Sequence, residues 1–539
     1  MGGYLPRLRG VNSRGKEARM DPSARRGVTR REALKLGLLG SAGLLLPLER
    51  TLGSRRSARA AGGFESPRRP PFEADLAIPP VIDARRGESI RLDARVGRQE
   101  IIPGITTPIW GYEGVSPGPT ILARKGIPVN ATFVNNLPAA GDPGNIIIPE
   151  ELGRRSLSEI VVHLHGVNTD APHDGHPLFT FPSGESFEYF WPNNDFQRPA
   201  TLWYHDHAIH ATSQQVYRGL AGFYVLTDEL EERLNLPDGE FDVGLKIQDV
   251  IIDKSGLLVY ANEGFKGVEG DVVTVNGRQQ PRFEVARGKY RFRILNGSDA
   301  REYRLALSDD SVFHVIGSDH GLLPAPEPTR RLHVAPAERY EVVIDFARYQ
   351  PGTRIVLQNR LDEPQDRRLE DRFDPRLPTS RVMAFDVTRR QGFTAPIPAR
   401  LRPLADPTGV PTPARAARTR NWEFDRQDGF WSINGRQFAP GRVDARPRLG
   451  TSEIWRFVNP AGGWVHPIHP HLVRFLILDL KGRPRRPGES GWKDTVWLGP
   501  NVTARVLMEF RNFAGRYVMH CHNVSHEDHD MMTQFETVL

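Results

Sequence analysis

From Ile78 onward the chain is built of short runs of β-branched and aromatic residues, broken by Gly, Pro and Asn. In Ser89 to Val96 and Pro119 to Val134 apolar side chains tend to alternate with polar ones. That period of two belongs to a half-buried strand, whose successive side chains face opposite sides of the sheet. Helical spacing is scarce. Many short strands separated by turn residues predict β-sandwiches.

The pattern repeats. Gly126-Ile127-Pro128-Val129-Asn130-Ala131-Thr132-Phe133-Val134-Asn135 has counterparts in Gly288 to Asn296 and Gly450 to Asn459, and the three glycines lie 162 residues apart. Each copy runs from a glycine turn through an alternating strand to an asparagine, a residue that tolerates tight turns. Val275-Asn276-Gly277 and Ile433-Asn434-Gly435 precede the second and third copies. An all-β chain of three homologous β-sandwich domains is expected, at residues 81–230, 231–395 and 421–539. A Pro/Ala/Arg-rich linker at 396–420 and a Gly/Pro/Arg connector at 61–80 would separate them from each other and from the leader. The mixed-charge run Arg360 to Arg376 reads as a solvated loop of the middle domain.

Charge changes the picture only at the front. A formal net charge of +7 raises the prospect of a nucleic-acid or membrane-surface partner, but residues 1–60 hold 14 Lys+Arg against 4 Asp+Glu, so the remainder is slightly acidic. No nucleic-acid partner is expected. The basic leader contains Thr29-Arg30-Arg31-Glu32-Ala33-Leu34-Lys35, an apolar run from Leu36 to Leu48, and Ala58-Arg59-Ala60. It reads as a twin-arginine export signal cleaved near Ala60, with Met20 a plausible alternative start. The apolar run is too short to span a bilayer, so no permanent anchor is expected. The partner would be the twin-arginine machinery and the destination the periplasm, the cell surface or the exterior. In an oxidising compartment the single cysteine, Cys521, can form no intramolecular disulfide, and its histidine neighbours point to metal chemistry.

Seventeen histidines are present, and eleven fall in four motifs: His163-Leu164-His165-Gly166, Trp203-Tyr204-His205-Asp206-His207, His466-Pro467-Ile468-His469-Pro470-His471, and His520-Cys521-His522 continuing through His526 and His529 to Met531-Met532. Each contains a His-x-His pair, which on a strand sends both imidazoles to one face. A lone thiol with a histidine five residues on and a methionine ten residues on offers the sulfur, imidazole and thioether donors of a blue-copper electron-transfer centre. By strand parity His520 and His522 face away from Cys521, toward a second site. By the same parity His466 lies opposite His469 and His471, on the Cys521 side.

The motifs and their order resemble the multicopper oxidases, most closely the bilirubin oxidase and spore-coat laccase branch. The phrase Gly463-Trp464-Val465-His466-Pro467-Ile468-His469 and the middle run from Gly277 to Phe346 share in the resemblance. It implies three consecutive cupredoxin-like Greek-key β-sandwich domains and four copper ions. A type 1 copper would be held by His466, Cys521 and His526 with Met531 as long axial ligand, a type 2 copper by His163 and His469, and a coupled type 3 pair by His165, His205, His207, His471, His520 and His522. The middle domain would serve as spacer and substrate wall. A small-molecule reductant would give electrons one at a time through Cys521, His520 and His522 to the cluster, where dioxygen becomes water. Asp174 and Glu527 resemble the family's proton relays, and Trp464 would lie near the donor pocket with His466. The other seven histidines are read as structural or surface residues. The expected donors are phenols, aromatic amines or tetrapyrroles such as bilirubin. A cuprous or ferrous ion oxidase is the alternative, though only seven methionines are present; a copper-free envelope protein would have lost ligands that this chain keeps.

Overall fold

The alternating segments form six larger sheets in three facing pairs, beside one two-stranded ribbon, in a computed structural model that describes residues 64–138, 146–147, 158–361, 373–405, 409–460 and 464–539. The leader, including its arginine pair and the site near Ala60, lies outside the described residues, as do Gly463 and residues 362–372 of the charged run Arg360 to Arg376.

In each pair the apolar faces close on one another. In the first, Leu92, Phe133 and Tyr189 of a four-stranded sheet meet Ile121, Leu164, Tyr204 and Tyr224 of a five-stranded one. In the second, Leu245, Phe292 and Val342 of a seven-stranded sheet meet Leu305, Leu357 and Phe385 of a five-stranded one. In the third, Phe424, Trp455 and Val506 of a six-stranded sheet meet Ile468, Met519 and Phe535 of a four-stranded one. Aligned sandwiches bury one face of every strand in this way. Among the described residues the longest helix, Thr212–Arg218, spans 7 residues.

The three repeats occupy equivalent places. Strand Val129–Asn136 runs parallel to Ile90–Ile102, Lys289–Asn296 parallel to Asp242–Val250, and Thr451–Val458 parallel to Ala416–Gln427. Their asparagines do more than permit a turn. Asn135, Asn296 and Asn459 are buried, and each side-chain amide donates to two main-chain carbonyls: Ser158 and Phe181 at 2.6 and 3.1 Å, Arg301 and Val334 at 2.8 and 3.0 Å, Trp464 and Leu498 at 2.8 and 3.2 Å. One buried amide thus ties together two main-chain carbonyls from separate segments. Asn276 and Gly277 (φ 48° and 70°) and Asn434 and Gly435 (φ 53° and 68°) turn tightly in the left-handed region that Asn-Gly permits.

The connector, which shows no periodicity, nevertheless packs on the second sandwich. The Ser66 backbone N–H donates to Asp271 at 3.0 Å, and Arg282 pairs with Asp75 at 2.9 Å.

Candidate metal centre

Four strands bring the histidine motifs together. Val162–His165 pairs antiparallel with Ala200–Asp206, setting His163 opposite His205. His466–Pro470 pairs antiparallel with Gly515–Cys521, setting His469 opposite His520 and Ile468 opposite Cys521. The first two strands belong to the first sandwich and the last two to the third, so the cluster lies between them.

On one side of the Gly515–Cys521 strand, the Cys521 Sγ lies 3.6 Å from His466 Nδ1 and 3.7 Å from His526 Nδ1. All three are buried. His526 sits on the short helix Val524–Asp528, whose first turn is capped by the Asn523 side chain. Met531 is buried as well; its N–H donates to the His526 carbonyl at 3.0 Å and its carbonyl accepts from the Cys521 N–H at 3.1 Å. The turn 526–531 is therefore tied to the end of the cysteine strand. Burial holds the His466 imidazole down to about 3 and pushes the Cys521 thiol well above its ordinary value. Neutral imidazoles beside a thiol that resists ionising in an apolar interior are the donors that a soft metal ion would bind in place of a proton.

On the other side, His520 and His522 enter two different groups. His207, His471 and His520 converge, with His471 Nε2 3.2 Å from both His207 Nε2 and His520 Nε2. His165, His205 and His522 form a second group, and His163, His165 and His469 a third, in each of which the ligand atoms lie within 4.8 Å of one another. All eight imidazoles are buried.

The orientation of the rings tests whether a cation fits among them. Their outward nitrogens are bonded to protein: His163 Nδ1 to the Asp174 carbonyl at 2.5 Å, His205 Nδ1 to the Asp206 carbonyl at 2.7 Å, His469 Nδ1 to the Asp494 carbonyl at 2.9 Å, and His165 Nε2 to the Asp494 carboxylate at 3.1 Å. The opposite nitrogens, His163 Nε2, His205 Nε2, His469 Nε2, His522 Nε2 and His165 Nδ1, are buried without hydrogen-bond partners. An outer N–H bonded to protein leaves the inner lone pair free for a metal, the arrangement usual for metal-ligating histidine. Burial, with the mutual repulsion of neighbouring imidazoles, lowers His163, His205 and His522 well below the ordinary histidine value, so these rings are neutral, and in His163 and His205 the outer bond leaves the lone pair on the inner nitrogen. The residues fit metal ions.

Both sequence-predicted acids lie against these rings. Glu527 accepts from Thr212 Oγ1 at 2.8 Å and lies 3.0 Å from His207 Nδ1 and 3.1 Å from His520 Nδ1, and Asp174 Oδ2 lies 2.8 Å from His471 Nδ1. The turn Asp174-Gly175 is forced by proximity. Gly175 has φ 81°, and a Cβ there would fall 2.2 Å from the Val162 carbonyl oxygen. Trp464 is half-buried and meets the His526 ring only edge-on, at 6.1 Å.

Sequence reasoning missed Asp494 and Arg339. The Asp494 carboxylate reaches His165 and, at 3.1 Å, His320, one of the histidines read as structural. It is itself held by Arg339. Arg339 lies on strand Arg339–Asp345 of the second sandwich, so the middle part of the chain does more than separate the other two: it fixes an anchor of the cluster. The signal was a charged residue inside an apolar run, as in Trp492-Lys493-Asp494-Thr495-Val496-Trp497-Leu498, where no solvated face was available. Trp431, buried against His526, was also missed.

Comparison with known proteins agrees with this arrangement. The chain matches the multicopper oxidase family profile over residues 155–231 and 410–538. It is 37% identical to bilirubin oxidase of Albifimbria verrucaria, over 88% of this chain and 82% of that protein. A laccase of Bacillus stratosphericus is 35% identical over 87% of this chain and 99% of that protein. Among solved structures, the McoA multicopper oxidase of the hyperthermophile Aquifex aeolicus superposes with a TM-score of 0.75 at 31% identity, covering 86% of this chain and 99% of that one. The sandwich fold, the buried sulfur and imidazole donors and these likenesses lead to one conclusion: the chain belongs to the multicopper oxidase family, copper oxidoreductases that use dioxygen as acceptor.

Proposed function

We propose that the chain binds four copper ions and couples the one-electron oxidation of phenols, aromatic amines or tetrapyrroles to the four-electron reduction of dioxygen to water. The observation that carries the reading is the placement of three consecutive residues: Cys521 joins His466 and His526, while His520 and His522 join two different histidine groups across the strand. His466, Cys521 and His526, with Met531 behind them, would hold type 1 copper. His163 and His469 would hold type 2 copper, and the groups His165, His205, His522 and His207, His471, His520 the type 3 pair. Copper bound there supplies one-electron redox steps and the reduction of dioxygen.

The chain supplies the rest. Cys521 shares a continuous backbone with His520 and His522, so a short bonded path joins the two sides, along which electrons would cross. The outer hydrogen bonds that the imidazoles donate to the carbonyls of Asp174, Asp206 and Asp494 hold the rings in one orientation, and their burial keeps bulk water from the site. Glu527, 3.0 Å from His207 and 3.1 Å from His520, would hold a proton and pass it toward the dioxygen site, and Asp174, 2.8 Å from His471, would do the same there. The names of the similar proteins, bilirubin oxidase and laccase, support the donor class. Export by the twin-arginine route, supported by Arg30-Arg31 and the apolar run that follows, would deliver the chain already folded to the periplasm or the exterior.

The test is oxygen uptake by copper-loaded protein with bilirubin, a phenol, an aromatic amine and cuprous ion in parallel, together with metal analysis. Four coppers per chain and turnover with the organic donors are expected. Turnover with cuprous ion alone would replace the donor class, and a protein that binds no copper would end the reading. Cell fractionation with Arg30 and Arg31 changed to Lys tests the export route.

A further inference from the structure

The histidines of the type 1 set are closed to solvent: His526 is 0% and His466 1% exposed. What covers His526 is specific. The Trp431 ring lies against it at 3.7 Å between centroids, tilted by 30°, and meets His466 edge-on at 5.6 Å. Trp431 is itself fully buried, and its indole N–H donates to the Phe265 carbonyl at 2.7 Å. Phe265 belongs to an exposed segment, residues 263–266, from the second sandwich. Above the indole the Arg426 guanidinium lies 4.7 Å from the Trp431 ring and 5.6 Å from Trp464, and donates to the Gly264 carbonyl at 3.0 Å. Outside this layer Phe265 stacks on His529 at 4.0 Å, and the half-exposed Phe430 stacks on the same imidazole at 5.7 Å.

A reducing donor in solvent therefore cannot touch His526. Electron transfer weakens steeply with each gap between bonded or touching groups, so the route inward follows rings in contact. Trp464 touches Trp431 at 5.2 Å and His526 only edge-on at 6.1 Å, whereas Trp431 has its face on the imidazole and a hydrogen bond to the exposed segment.

We propose that Trp431 is the residue through which a donor's electron reaches the type 1 site, held in place by the Phe265 carbonyl and the Arg426 guanidinium. The proposal rests on the copper assignment above. The donor loses one electron outside the covering layer, and a phenolic donor then releases its proton to solvent. Copper at the type 1 site, the oxidant that the family's activity supplies, gains that electron. Trp431 has the same electron count before and after.

The experiment compares Trp431→Phe and Trp431→Leu with the parent protein, all copper-loaded and free of oxygen. Bleaching of the blue band by a phenol is followed by stopped flow, and the visible spectrum, the electron paramagnetic resonance signal and the midpoint potential of the type 1 site are measured on the same samples. The expected result is reduction slowed by roughly tenfold or more in the leucine variant and less in the phenylalanine variant, with spectrum and potential unchanged. Reduction at the parent rate in both variants would overturn the proposal, and so would a slowing fully matched by a lowered potential, which marks a packing role. If leucine disturbs the blue centre, the phenylalanine variant decides alone, by the same two outcomes. If only cuprous ion bleaches the parent, the donor class fails while the comparison is repeated with that ion, so the two failures remain distinct.

Discussion

Arg339 and Asp494 meet in a fully buried two-pronged pair, with Nη1 2.7 Å from Oδ1 and Nη2 2.6 Å from Oδ2, and the same aspartate orients His165 and His469. Removing one partner of such a pair leaves a charge uncompensated in the interior, a loss on the order of 3–5 kcal/mol. Arg339→Met is expected to lower the unfolding free energy of metal-free protein by about that amount and to weaken copper retention in the histidine cluster while the Cys521 set still colours. Arg339→Lys keeps the charge but not the fork and should fall between. Denaturant melts and copper content after dialysis check both.

Cys521→Ser removes the thiolate that a blue centre requires. Blue colour and donor oxidation should disappear together, while the eight-histidine site still fills with copper. Visible spectra, metal analysis and oxygen uptake on one sample decide, and retained donor oxidation would refute the path through Cys521.

Glu527→Gln keeps the size and the Thr212 hydrogen bond but cannot carry the proton. With copper content unchanged, oxygen uptake at neutral pH under saturating donor should fall by roughly 10²-fold or more, the usual worth of a positioned proton-transfer group. Anaerobic bleaching of the blue band, which uses no dioxygen, should keep its rate.

Lys246, which none of the metal-ligand groups includes, gives a pH effect of its own. It is buried in strand Asp242–Val250, its ammonium donates to Gln248 Oε1 at 2.6 Å, and burial lowers it to about 7. Between pH 7 and about 10.4 the unfolded chain binds the proton that the folded one has released, so stability rises with pH across that window; below it the full penalty applies. Lys246→Met should stabilise the metal-free protein at pH 7 by a few kcal/mol, on the order of 2 to 4. The advantage should shrink toward pH 10, which thermal melts at several pH values measure.

The alternation of apolar and polar residues carried the sandwich architecture, and the 162-residue glycine interval its repetition, because both follow from local geometry. The histidine motifs were legible for the same reason: a His-x-His pair faces one way whatever surrounds it. Asp494, Arg339 and Trp431 act through contacts between segments remote in sequence, and nothing next to them announces the partner. The buried asparagines fall between these cases. Their position in the repeat was visible, but the two carbonyls that each one pairs come from other segments, which the pattern of the repeat does not name.

The pleat of the Gly515–Cys521 strand makes its register a chemical quantity. A shift of one residue would send every side chain to the opposite face, placing sulfur in the imidazole cage and imidazoles in an apolar core. Ordinary strands tolerate some sliding; this one is fastened near its end from several directions, by the His471 N–H to the Val518 carbonyl at 3.0 Å, the Cys521 N–H to Met531 at 3.1 Å and the His522 N–H to Pro467 at 2.6 Å. An insertion or deletion of a single residue between Gly515 and Cys521 would thus exchange the two kinds of donor without altering the composition of either motif.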